Sequence, residues 1–211
     1  ILKTLSDKRI LSFFTPVIFC NMNLLIDQKK LLGIDLDCIK IEKNKLPIKG
    51  KINVVNVWEE KFQTCFGDPS IESGKLSYLS LEASATSLAE NKIDVLVTAP
   101  INKNNIQNKN FEFPGHTDYL AKKFEGKSLM FMVSEDLKVG LVTDHIPIKQ
   151  VHSKITKDKV KEKFSLINES LIKDFGVQRP KIAVLSLNPH VGNGGTIGDD
   201  DDKILKPALK E

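Results

Sequence analysis

Short runs of apolar, mostly β-branched residues recur along the chain and predict buried strands. They are PVIFC (16–20), INVVNV (52–57), IDVLVTA (93–99), KVGLVT (138–143) and KIAVLSL (181–187). Apolar residues also recur at helical spacing over 76–91 and, more plainly, over 157–176, where Gly176 is typical of a helix end. Strands that alternate with helices are typical of an α/β fold with a mostly parallel sheet and flanking helices.

Three polar loops follow the carboxyl ends of predicted strands. VTAPINK leaves the strand at 93–99, VTDH leaves the strand at 138–143, and LNPH leaves the strand at 181–187. Because ligands bind at the carboxyl edge of open α/β sheets, we expect the three loops to contribute to a shared site.

Composition excludes several classes of protein. A hydrophobic content of 41% argues against disorder, and the 31 basic and 27 acidic residues are too evenly mixed to indicate a nucleic-acid partner. No apolar run approaches the roughly 20 residues that span a bilayer, so we expect no membrane partner. The three cysteines are odd in number and lack a C-x-x-C pair, which indicates reduced thiols and a cytoplasmic location.

Two histidines in these loops, His145 and His190, are candidate metal ligands. Neutral imidazoles suit a divalent transition metal such as Zn²⁺, but a catalytic metal usually takes about three protein ligands. Asp144 or a residue of another chain would have to complete the set. Spacing alone favours the alternative, two independent loop histidines.

A second candidate site lies in PGHTDYLAKKF (114–124), which predicts a turn followed by a helix that starts at His116 or Thr117. The free N–H groups of a helix start bind phosphate or carboxylate, although Thr117 could equally be an ordinary cap. Lys103 in the preceding loop could pair with an anion or move a proton, or it could simply be solvated.

Two further stretches are ambiguous. NGGTIG (193–198) would let a phosphate approach the backbone, yet it is neither G-x-G-x-x-G nor a Walker sequence. GDDDDK (198–203) contains the run that a tag-removing protease recognises, but it leads directly into the amphipathic ILKPALKE (204–211). That continuity favours a native acidic first turn of a helix. NKNNIQNKNFEF (102–113) is predicted to be a loop or short arm, and His152 receives no role.

Four segments, taken in order, resemble the motifs of one enzyme family. VTAPINK (97–103), PGHTDYLA (114–121), LVTDHIPI (141–148) and LNPHVGNGGTIG (187–198) are similar to motifs of 4-hydroxythreonine-4-phosphate dehydrogenase, an enzyme of pyridoxal phosphate (vitamin B6) biosynthesis. Four motifs in the same order favour a functional interpretation of each.

The resemblance implies a fold similar to isocitrate and isopropylmalate dehydrogenases, with two α/β lobes and a homodimer whose site lies at the interface. It implies a phosphorylated substrate, NAD bound without the usual glycine fingerprint, and a divalent metal, with Zn²⁺, Mg²⁺ and Co²⁺ as candidates. His116 and Thr117 would contact substrate, and His145 and His190 would bind the metal. We add Gly194 and Gly195 as cofactor-side candidates and Lys103 as the catalytic candidate.

The chain departs from the family pattern at both ends. The resemblance begins after the family's glycine-rich first strand-loop and stops before a third metal histidine and the downstream substrate-binding lysine, asparagine and arginine. We therefore expect a fragment, weakly active or inactive as it stands. Its first lobe is predicted at residues 1–100, incomplete at the N-terminus, and its second, with most site motifs, at 101–211.

Other functions stay open at this point. A related dehydrogenase acting on another phosphorylated hydroxy acid would use the same metal and cofactor. A non-catalytic module that binds a phosphate ligand or a metal would need only the retained motifs. Metal-dependent hydrolysis is a third alternative, for which Asp144 is the obvious acidic residue.

Overall fold

The computed structural model describes residues 1–210, which form two compact units that meet in sequence between Gly126 and Lys127. The predicted lobe boundary after residue 100 falls inside the first unit and stays a prediction. Over these 210 residues, no helix has both the length and the apolar character needed to cross a membrane.

The first unit is built on a parallel three-stranded sheet. Its strands are β1 (Val17–Cys20), β2 (Cys38–Ile41) and β3 (Ile52–Asn56), in the order β1-β3-β2. The sequence predictions for β1 and β3 are confirmed, whereas β2 was not predicted. Parallel neighbours need long crossover connections, and α2 (Met22–Leu32) supplies the one from β1 to β2.

Both faces of this sheet are covered by helices, because side chains along β3 point alternately to either side. Ile52 and Val54 lie in a cluster with Leu25 of α2. Val55 faces the opposite way and packs with Ala83 of α3 (Ile71–Ala89). The remaining helices of the unit are α1 (Leu2–Leu5) and α4 (His116–Lys123), with a 3₁₀ turn at Lys8–Ser12.

Local sequence sets where the main helices begin and end. The Asn21 side chain accepts a hydrogen bond from the amide of Leu24 at the start of α2, and Gly33 ends that helix with φ +62°. At the start of α3, Ser70 and Ser73 bond each other's backbone amides reciprocally in a capping box.

The second unit contains one antiparallel strand pair and three helices. The strands are β4 (Phe131–Val133) and β5 (Lys138–Gly140), and the helices are α5 (Ile148–Lys154), α6 (Lys157–Lys173) and α7 (Lys206–Lys210). A turn of left-handed backbone conformation covers most of Pro189–Gly195, and a π-helical turn covers Asp201–Leu205. Its core joins α6 to the C-terminal turns through Val160, Leu205 and Ala208.

Three predicted strands are wrong in extent or in kind. Residues 93–99 and 181–187 have no regular secondary structure, and of 138–143 only Lys138–Gly140 is a strand. Val97 and Leu185 are each 87% exposed. An apolar run predicts burial, but a strand also needs a hydrogen-bonded neighbour, and residues 1–210 provide none for these two runs. The shared sheet edge expected for the three polar loops therefore does not form within this part of the chain.

Candidate functional site

The predicted helix start after Pro114 is confirmed, because α4 begins at His116. Its N-cap is Gly115, which has no side-chain oxygen to bond the amides of the first turn. Thr117 is therefore not the cap and lies within that turn. Uncapped N–H groups and the partial positive charge of a helix start favour an anion.

Lys103 lies against this helix start. A Cβ atom built on Gly115 would be 3.7 Å from Lys103 Cε and 4.0 Å from its Nζ. The pKa of the half-buried His116 is lowered, first by burial and second by the positive charge of Lys103. His116 is therefore neutral at pH 7, so it adds a hydrogen-bonding imidazole beside a lysine ammonium.

The loop that carries Lys103 is held by short polar contacts. The side-chain oxygen of Asn102 accepts bonds from the amides of Asn104 at 3.0 Å and Asn105 at 3.2 Å. The carbonyl of Asn105 lies so close to Gly74 of α3 that a Cβ there would be 1.8 Å away. Only glycine permits this approach, which ties the loop to α3.

The segment 102–113 is mostly polar, but two of its apolar side chains are buried. Ile106 and Phe111 are fully buried. The ring of Phe111 lies 6.1 Å from that of Tyr78, 5.6 Å from Phe113 and 5.4 Å from Tyr119, measured between centroids. This aromatic cluster joins the Lys103 loop, α3 and α4 into one body.

A charged network attaches α4 to α3 as well. The Tyr119 hydroxyl and the Lys123 ammonium both donate to the Glu82 carboxylate, and Lys123 also donates to Thr86 Oγ at 3.0 Å. Burial would raise the pKa of Glu82, but the bonds from Lys123 and Tyr119 outweigh it and lower that pKa below its ordinary value. Burial and the bond to Glu82 raise the pKa of Tyr119. No local sequence pattern predicted this network.

The two predicted metal histidines are exposed on loops of the second unit. His145 follows β5 with φ +47°, and His190 lies in the turn at Pro189–Gly195 with φ +53°. Within residues 1–210 neither imidazole makes a hydrogen bond, and no three His, Cys, Asp or Glu side chains are grouped to hold a metal ion. The donor chemistry fits a divalent metal, but these residues supply two donors of a set that they do not complete.

The loop after Asn188 forms a left-handed turn. All six residues from His190 to Gly195 have positive φ, between +45° and +94°. Gly194 and Gly195 have nothing within 4 Å of an added Cβ, so backbone is open to approach there. That openness is compatible with the predicted cofactor contact, which stays a prediction.

Two polar contacts beside this loop were not predicted. His152 Nε2 lies 2.9 Å from Asp200 Oδ1. Asp201 is 1% exposed, and its carboxylate accepts from the backbone amides of Leu187 and Asn188. The acidic run was noticed in the sequence, but nothing in four consecutive aspartates indicates which one is buried.

Comparison with known proteins gives one consistent result. The family profile of the pyridoxal phosphate biosynthetic protein PdxA matches residues 12–211. The 4-hydroxythreonine-4-phosphate dehydrogenase of Bacteroides thetaiotaomicron is 38% identical over the whole chain, which covers 58% of that relative. The enzyme of the same name from a Sulfurihydrogenibium species is 40% identical over 92% of the chain, covering 60% of the relative. The chain thus spans about three fifths of these relatives' length.

A solved structure agrees with the sequence relatives. The crystal structure of a 4-hydroxythreonine-4-phosphate dehydrogenase from Burkholderia phymatum aligns with 99% of this chain and 64% of its own, with a TM-score of 0.83 and 26% identity. The predicted α/β fold, of the isocitrate and isopropylmalate dehydrogenase type, is confirmed, as is the resemblance carried by the four motifs. A profile match over residues 12–211, relatives at 38–40% identity and a shared fold together place this chain in the PdxA family of pyridoxal phosphate biosynthetic proteins.

Proposed function

We propose that the full-length protein is an NAD- and metal-dependent dehydrogenase of 4-phosphohydroxy-L-threonine in pyridoxal phosphate synthesis. The substrate alcohol would lose a hydride to NAD and a proton, giving a 3-oxo acid that releases CO₂ to form 3-amino-2-oxopropyl phosphate. The observation that carries the proposal is the family match over residues 12–211, which contains all four motifs.

Lys103, His116 and Thr117 would bind an anionic group of the substrate. The lysine contributes a positive charge, the neutral imidazole a hydrogen bond, and the first turn of α4 its uncapped amides. Lys103 is also the candidate for proton transfer, because its side chain lies against Gly115 at the start of α4. The aromatic cluster and the Glu82 network attach the Lys103 loop and α4 to α3.

His145 and His190 would hold the divalent metal, with Zn²⁺ as the first candidate and Mg²⁺ or Co²⁺ as the others. Both are exposed and free of competing hydrogen bonds within residues 1–210. Bound there, a divalent metal would supply Lewis-acid polarisation of the substrate hydroxyl, and NAD would supply the hydride acceptor. The open backbone at Gly194 and Gly195 would face the cofactor.

We further propose that the protein works in the cytoplasm as a homodimer whose partner subunit helps to complete the metal site. Two histidines fall short of the usual three protein ligands, and within residues 1–210 no three His, Cys, Asp or Glu side chains are grouped to hold a metal. Light scattering of the full-length protein should give twice the mass of one chain. A monomer that is active would contradict the shared site.

The test of the function is NADH formation by the full-length protein given 4-phosphohydroxy-L-threonine and NAD. A chelator should abolish the activity and added Zn²⁺ should restore it. Absence of NADH with every metal tried would contradict the named substrate. Turnover of a phosphorylated sugar acid in its place would identify a related dehydrogenase.

Variants of the two histidines test the metal assignment. His145→Ala and His190→Ala should each lower kcat by at least about a hundredfold, because each removes a direct ligand. Lys154→Ala, exposed on α5, is the matched control and should retain activity. Full activity in both histidine variants would contradict the assignment.

A further inference from the structure

The loop that carries His190 has a conformation that side-chain-bearing residues avoid. His190, Val191 and Asn193 all have φ between +45° and +55°. In this left-handed region Cβ crowds the following carbonyl oxygen, and the crowding is worst for a β-branched residue such as Val191. Such a conformation persists only where surrounding contacts determine it.

Asp201 supplies contacts of this kind at the entrance to the loop. Its Oδ1 accepts from the amide of Leu187 at 2.8 Å, and its Oδ2 accepts from the amide of Asn188 at 2.9 Å. The Asn188 side-chain amide donates to Asp201 Oδ2 at 3.2 Å and to Asp200 Oδ2 at 3.1 Å. All groups facing Asp201 in these bonds are donors, and a carboxylate only accepts, so charge and geometry match.

The same asparagine closes the loop on itself. A Cβ on Gly198 would lie 2.7 Å from Asn188 Oδ1, and a Cβ on Gly192 would lie 2.0 Å from the carbonyl oxygen of Gly198. The amide of Ile197 also donates to the Gly192 carbonyl at 3.1 Å. Side chain and backbone are thus packed from Asp201 through Asn188 to the left-handed turn.

We propose that Asp201 is a positioning residue, which holds the loop in its left-handed conformation and thereby presents the His190 imidazole to the metal. This role rests on the proposed function, because it assigns His190 as a metal ligand. The four consecutive aspartates therefore differ in role. Asp201 is buried and holds the loop, while its neighbour Asp202 is exposed and pairs with Lys206.

The test compares Asp201→Asn with Asp202→Asn in the full-length protein. Asp201→Asn replaces an acceptor with a donor that faces backbone N–H groups, whereas Asp202→Asn removes the same charge at the surface. In the metal-free protein, hydrogen exchange of peptides covering 187–198 should be about tenfold faster in Asp201→Asn only. Exchange of α6 should match wild type, which separates a loosened loop from global unfolding.

Titration with Co²⁺, followed by its visible absorption bands, tests the link to His190. Asp201→Asn should bind Co²⁺ about tenfold more weakly than wild type and than Asp202→Asn. If Asp201→Asn does not fold, Asn188→Ala removes the side-chain bonds from the loop side and should give the same pattern with a smaller effect.

The outcomes separate the inference from the function on which it rests. Unchanged exchange of 187–198, or faster exchange with Co²⁺ affinity equal to wild type, would overturn the positioning role. Wild-type protein that binds no Co²⁺ would instead overturn the metal assignment of His190 and the positioning role with it.

Discussion

The charge state of His116 depends on its burial and on one charged neighbour. Its side chain is half-buried, and Lys103 adds a positive charge nearby. Both disfavour the imidazolium, and burial contributes more than the lysine. A neutral imidazole at pH 7 can donate one hydrogen bond to an oxygen without adding a second full charge beside Lys103.

Replacing Lys103 with an uncharged residue should raise the pKa of His116. Lys103→Met removes the charge but keeps most of the chain length, so the pKa of His116 should rise part of the way towards 6.5 and not reach it. The imidazole proton signals in NMR spectra recorded across pH 5–8 measure the shift. Lys109→Met, an exposed lysine of the same segment, should leave it where it is, and a shift of equal size in both variants would contradict the contact.

The position of an individual residue could be predicted from the sequence where neighbouring residues alone determine it. His116 at the start of α4 follows from a Pro-Gly turn before amphipathic spacing, and that prediction is confirmed. The burial of Asp201 depends instead on the backbone of Leu187, 14 residues earlier in the chain. No local pattern encodes such a contact, so the clamp could be found only in the structure.

At the scale of elements, the attachment of α4 to α3 depends on charge as well as packing. Because the pKa of Glu82 is lowered in the folded protein, the unfolded state binds protons more readily. The stabilisation from Glu82 is therefore complete above the unfolded pKa, near 4.5, and is lost as the pH falls through the lower folded value.

Glu82→Gln should accordingly show a pH-dependent loss of stability. Urea denaturation should find the variant less stable than wild type at pH 7, with the difference shrinking as the pH falls below about 4.5. Lys123→Met should remove part of the same pH dependence, because it removes the strongest bond that lowers this pKa. A difference that stays constant from pH 7 to pH 3 would contradict the network.

The aromatic cluster packs the loop of Lys103 against α3 and α4. Removing its central ring should lower the free energy of unfolding. Phe111→Ala should lower the free energy of unfolding by about 3–5 kcal/mol, because a fully buried ring leaves a cavity. Phe13→Ala, at a position that is 82% exposed, should change it by less than about 0.5 kcal/mol. Equal losses in denaturant titrations of the two variants would mean that the cluster does not hold the loop.

Some predicted strands formed and others did not, because a strand needs a hydrogen-bonded neighbour as well as apolar residues. The runs at 16–20 and 52–57 became β1 and β3 because each has a hydrogen-bonded neighbour in the first unit. The equally apolar runs at 93–99 and 181–187 have none among the residues described, so hydrophobicity alone did not make them strands. The short β2, with Lys40 between two isoleucines, lacked a clear apolar run and was missed.

At the scale of the whole molecule, each unit carries a different part of the proposed chemistry. The first unit holds the anion-binding candidates Lys103, His116 and Thr117, and the second holds the metal candidates His145 and His190. The chain spans 58–60% of the length of two curated relatives. The family is shown, while the substrate and the metal site stay proposals.

The proposed reaction couples oxidation of a phosphorylated hydroxy amino acid to loss of its carboxylate. The most direct measurement follows NADH and CO₂ together while the full-length protein, with Zn²⁺ and NAD, consumes 4-phosphohydroxy-L-threonine labelled in its carboxyl carbon. We predict one NADH and one labelled CO₂ for each substrate molecule consumed, and neither product after chelation. Absence of NADH would contradict the account. So would NADH formation without labelled CO₂, with the labelled carboxyl carbon retained in a stable 3-oxo acid.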